Sequence, residues 1–63
     1  MRNIIPELRK QQGYSQARLA ELLGVSRQTV ISIEKGRFDP SLPLAFSIAA
    51  IFEKRIEEIF QPD

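Results

Sequence analysis

A chain of 63 residues, 43% hydrophobic and 27% charged with a net charge of +1, has the composition of an ordinary folded domain and not of a disordered or membrane-embedded segment. At this length folding buries only about 60% of the surface exposed by the unfolded chain, so a single small core supplying about 3–5 kcal/mol is expected. Cysteine and histidine are both absent, which removes disulfides, thiolate and imidazole chemistry and the commonest metal ligands; no catalytic residue, metal site or cofactor is expected.

The opening segment "MRNIIPELRK" has no apolar core of an export signal, and no apolar run approaches the ~20 residues of a membrane span, so a cytoplasmic protein without a membrane partner is expected. Charge is unevenly placed. Residues 1–37 carry seven basic and three acidic side chains, whereas residues 38–63 carry two basic and five acidic ones. The N-terminal part is suited to approach an anion.

In chain order, Asn3 is the predicted cap of a first helix over roughly 4–12, with Pro6 in the first turn, where the N–H groups have no intrahelical partner. Ile5 and Leu8 share one face, and Gly13 provides the left-handed stop. Tyr14 then reads as an apolar lid over that helix end or, alternatively, as a surface contact. Ser15 caps a second helix, about 16–23, whose Leu19, Leu22 and Leu23 fall at i, i+3 and i+4 before Gly24. Ser26 caps a third, about 27–35, with Val30 and Ile33 inward and Gly36 as the stop. Between the second and third helices "GVS" leaves room only for a tight turn and a steep crossing.

After "GRFDP", Ser41 caps a fourth helix with Pro43 in its first turn and Leu44, Ile48, Ile51 and Phe52 as its buried stripe. Phe46, Ala50 and Ile51 with Phe60 suit either core or a dimer seam, core being the default for a helical stripe. "RIEEIF" forms a last helix before Pro62. No strand alternation is evident. The expectation is one all-α domain of five helices spanning 1–63.

Two helices joined by a three-residue turn, the second opening on polar residues, form the arrangement that sets a recognition helix in the DNA major groove. Ala20 is small where the two helices approach, Gly24 permits the turn, and Val30 with Ile33 anchors the second helix. Through "LRKQQGYSQARLAELLGVSRQTVISIEKGRFDPSL" and, more loosely, "IEEIF", the chain resembles the Cro and phage-repressor type of helix-turn-helix proteins, the XRE family of small transcriptional regulators.

The resemblance implies a compact lambda-repressor-like fold and roles for particular residues. Gln16 would bond a DNA phosphate. Arg27, Gln28, Ile31 and Ser32 would face base edges, and Lys35 and Arg37 would meet the backbone just beyond. Arg9 and Glu34 match a family pair that ties helix 1 to the end of helix 3 by a salt bridge. The chain departs from the family at Ala17 and Arg18, where acidic residues are usual, at Ile31, where a polar residue is common, and at Glu53 and Arg55, where glycine and serine are frequent.

The residue types suit the task. Arginine matches guanine O6 and N7, glutamine matches adenine N6 and N7, and Ile31 could rest on a thymine methyl. Arg18, Lys35 and Arg37 flank the recognition helix as phosphate neutralisation requires. The expectation is therefore a non-enzymatic repressor acting as a homodimer on an inverted-repeat site in double-stranded DNA. The rival is a protein-interaction module of the same fold, such as an antitoxin that masks a partner toxin.

Overall fold

The computed structural model describes residues 1–62. Five helices make up most of them: α1 (Ile5–Gln12), α2 (Gln16–Leu23), α3 (Arg27–Glu34), α4 (Leu42–Phe52) and α5 (Ile56–Ile59). Three begin as their sequences dictate. The Ser15, Ser26 and Ser41 hydroxyls accept the backbone N–H groups of Arg18, Thr29 and Leu44 at 3.0, 3.1 and 3.3 Å, each cap contributing about 1 kcal/mol.

α1 starts differently from the expectation. Ile4, not Asn3, occupies the cap position and offers no side-chain bond. Asn3 lies one residue further out, in a two-residue strand β1 (Arg2–Asn3) that pairs antiparallel with β2 (Phe60–Gln61). From there its Oδ1 accepts the Ile5 N–H at 3.0 Å and its Nδ2 donates to the Ile33 carbonyl at 2.9 Å. One amide thus ties the start of α1 to the inner end of α3. The strand pair, which takes Phe60 out of the predicted last helix, is too short to leave an alternating pattern in the sequence.

Gly24 turns the chain between α2 and α3 at φ 72°, a left-handed conformation costly for any residue with a Cβ. Gly36 does the same after α3, and there a Cβ would also lie 3.3 Å from the Met1 carbonyl oxygen. At the end of α4 the left-handed position falls on Glu53 at φ 53° instead.

The core draws Ile5 and Leu8 from α1, Leu19 and Ala20 from α2, Val30 and Ile33 from α3, and Ile59 and Phe60 from the C-terminal end. α4 gives it Ala45, Ile48, Ala49 and Phe52. The predicted stripes of α2 and α4 are each rotated. Leu22 is 39% exposed while small Ala20 is buried against the neighbouring helix. Leu44 and Ile51 are half-buried at the edge of the core, and Phe46 and Ala50, for which core was the default, face solvent. Close helix approach favours alanine at the contact, and the larger side chains move to its margin. Among the described residues no helix is long and apolar enough to cross a membrane.

Candidate nucleic-acid interface

α2 and α3 pack directly on each other through the Gly24 turn, and α3 turns its two buried residues, Val30 and Ile33, to the core. Successive helical residues advance about 100°, so Arg27, Ile31, Lys35, Gln28 and Ser32 fall within an arc of about 140° on the opposite side. Arg27, Gln28 and Lys35 are exposed, while Ile31 and Ser32 are half-buried. Gln28 Nε2 donates to Ser32 Oγ, one turn along, at 3.4 Å. Every residue assigned to base edges therefore sits on one surface.

That surface is anchored from beneath. Arg9 donates from Nε and Nη2 to the Glu34 carboxylate at 2.8 and 3.5 Å, and its Nη1 donates to the Tyr14 carbonyl at 3.0 Å. The Arg9 and Glu34 side chains are only 13% and 7% exposed. Glu34 Oε1 also accepts from Gln16 Nε2 at 3.1 Å, and Gln16 Oε1 accepts from Arg27 Nη2 at 3.5 Å. A hydrogen-bonded line thus runs from α1, through the end of α3 and the start of α2, to the first residue of α3. The spacing of these residues in the chain gave no sign of the Glu34–Gln16–Arg27 part.

The cations around the face divide into two kinds. Arg18 is engaged by Glu21 one turn on, in an exposed pair. Such pairs contribute at most about 1 kcal/mol and exchange readily for another anion. Lys35 and Arg37 are exposed, and among the described residues neither they nor Arg27 is ion-paired. Tyr14 is half-buried against the core.

Phe38, to which the sequence assigned nothing, closes a shallow groove with Ser26, Gln28, Thr29 and Ser32. An aromatic residue in a short polar loop after a glycine was the available signal. On a different part of the surface Leu42 and Phe46, 65% and 59% exposed, stand one turn apart on α4 beside Ala45, Ala49 and Ile56. Among the described residues no group of acidic side chains is placed to hold a metal ion.

Two short capped helices at a glycine turn, with a polar and cationic outer arc on the second, define a helix-turn-helix module. A helix-turn-helix family model matches residues 5–59. The chain is 53% identical over 60 residues to an uncharacterized HTH-type transcriptional regulator of Methanocaldococcus jannaschii, covering 95% of this chain and 91% of that one. It is 50% identical to the uncharacterized HTH-type transcriptional regulator YgzD of Bacillus subtilis, with the same coverage. Among solved structures it resembles the restriction-modification controller protein C.AhdI of Aeromonas hydrophila, with a TM-score of 0.77 and 34% identity over 87% of this chain and 83% of that one. The chain belongs to the Cro/XRE-like helix-turn-helix family of transcriptional regulators, a family without catalytic activity.

Proposed function

We propose that the protein is a sequence-specific repressor that binds an inverted-repeat operator in double-stranded DNA as a homodimer in the cytoplasm. The observation that carries this is the outer arc of α3, where Arg27, Gln28, Ile31 and Ser32 lie together and Lys35 and Arg37, not ion-paired among the described residues, follow. In this reading Arg27 takes guanine, Gln28 takes adenine, and Ile31 meets a thymine methyl. Gln16 gives one amide hydrogen to Glu34 and keeps the second for a phosphate. Arg18 joins the phosphate contacts by leaving Glu21, at little cost because that pair is exposed.

Dimerisation is supported by Leu42 and Phe46, large apolar side chains left open on one face of α4. One such module makes few phosphate contacts, and two held in register multiply both affinity and selectivity. Phe46→Arg should produce a monomer by sedimentation and weaken binding to a symmetric site. A wild-type protein that stays monomeric at all concentrations would assign this face to a different protein, as in the antitoxin reading.

The decisive experiment is selection of bound duplexes from a random pool, followed by single-base changes at one stated salt concentration. Arg27→Ala and Gln28→Ala should each relax preference at one position, with about 1–3 kcal/mol of discrimination lost. Gln16→Ala should weaken good and poor sites alike through its phosphate contact, which carries no sequence information, with a smaller added loss at the position that Arg27 reads, because Gln16 Oε1 accepts from Arg27 Nη2 at 3.5 Å. Intact folding with no effect of any of the three variants on DNA binding would refute the proposal.

A further inference from the structure

Phe38 is 49% exposed and is not among the side chains packed against the core, so burial does not explain an aromatic residue at this position. Its ring forms one wall of the groove whose other walls are Ser26, Gln28, Thr29 and Ser32. On the wheel of α3, Gln28, Ser32 and Thr29 follow one another at the margin of the arc that carries Arg27, Ile31 and Lys35. The ring therefore extends the recognition face sideways from Gln28 and Ser32. It supplies the apolar wall where the others are hydroxyls and an amide.

The loop that presents it is tied back to α3 and to the first residue. Gly36 turns in the left-handed conformation, the Arg37 N–H bonds the Ser32 carbonyl at 2.9 Å, and the Asp39 carboxylate meets the Met1 ammonium at 3.1 Å. Lys35 and Arg37, not ion-paired among the described residues, precede it in the chain, so this surface suits an anionic partner. On a DNA duplex the apolar group displayed in the major groove, among the acceptors and donors that Gln28 and Ser32 can match, is the thymine C5-methyl. We infer, on the basis of the operator-binding reading above, that Phe38 is a specificity-determining residue that packs on a thymine methyl beside the base read by Gln28 and Ser32.

The test uses duplexes enriched by the wild-type protein, with each thymine replaced in turn by deoxyuridine so that only the methyl is lost. Wild type, Phe38→Ala and Phe38→Leu are titrated against the series, with thermal melts as the folding control. At one thymine position deoxyuridine should weaken wild-type binding about fourfold, the worth of one buried methyl group. Phe38→Ala should lose about as much on the thymine duplex and be indifferent to deoxyuridine at that position, while Phe38→Leu retains part of the preference. Equal weakening of every duplex by Phe38→Ala would place the ring on the sugar-phosphate backbone and overturn the inference, as would unchanged binding. If the wild-type protein enriches no duplex, the operator reading falls and takes this inference with it; enrichment without coupling at Phe38 removes this inference alone.

Discussion

Removing the Glu34 carboxylate is expected to bring the domain close to unfolding. The carboxylate is nearly buried and accepts three hydrogen bonds, two from Arg9 at 2.8 and 3.5 Å and one from Gln16 at 3.1 Å. Glu34→Ala leaves the Arg9 guanidinium, 13% exposed, with the Tyr14 carbonyl as its partner among the described residues. Breaking a buried pair from one side costs about 3–5 kcal/mol, much of it from the stranded charge. A core of this size supplies a similar amount in total. With each kcal/mol worth about 4–8 °C in a domain of 60–100 residues, the midpoint should fall by at least about 12 °C. Urea and thermal unfolding followed by far-ultraviolet circular dichroism would read the loss. Arg9→Met combined with Glu34→Leu should recover most of it, because well-packed apolar replacements of a buried pair are often neutral. A Glu34→Ala protein within about 1 kcal/mol of wild type would show a pair worth no more than a surface bridge and would refute the reasoning.

Lys35→Ala and Arg37→Ala should each weaken binding to all DNA sequences and flatten the slope of log affinity against log salt by about one unit; fluorescence titrations at several salt concentrations check this, and a salt-independent affinity would contradict it. Glu53→Gly should raise the urea midpoint, because φ 53° costs a side-chain-bearing residue about 1–2 kcal/mol and glycine's greater unfolded freedom offsets only part of that. Glu58 accepts the Arg55 N–H at 2.8 Å, and this bond holds its carboxyl below the usual glutamate value. The stabilisation is complete above that usual value of about 4.3 and is lost as pH falls through the lowered folded value. Glu58→Gln should therefore melt with a shallower dependence on acid pH than wild type, and identical profiles would discount the bond.

Helix starts were legible because three serines each stand directly before an apolar periodicity, and a serine hydroxyl satisfies a first-turn N–H whatever the tertiary fold. The α2–α3 unit was legible for the same local reason, with Gly24 supplying the turn. What escaped depends on the path of the chain through space. Asn3 looked like a cap, but pairing of its backbone with Phe60 moved it outside α1. On α4 the leucine at 44 and the isoleucine at 51 outweigh the alanines in hydrophobicity, yet Ala45 and Ala49 take the buried face because their size permits close approach. Neither Gln16 beside Glu34 nor Phe38 beside Ser32 follows from helical spacing, since both pairs are joined across elements or a loop.

If Arg27 reads a base as proposed, the line from Arg9 through Glu34 and Gln16 to Arg27 joins stability to recognition. A long exposed arginine ordinarily loses rotamer freedom when it meets a base, and ordering such a side chain costs about 0.5–1.5 kcal/mol. Here Arg27 already leans on Gln16 at 3.5 Å, and Gln16 is fixed in turn by a carboxylate locked to Arg9. Part of the ordering is therefore completed on folding. Lysine at position 9 would preserve the charge but not the fork that reaches Glu34 and the Tyr14 carbonyl together, so the support would slacken even where the fold survived. Altered DNA affinity in an Arg9 or Glu34 variant would then combine a smaller folded fraction with a looser reading face. Affinities compared at equal folded concentration isolate the second effect, and a residual loss that Gln16→Ala no longer adds to marks the contribution of this line to recognition.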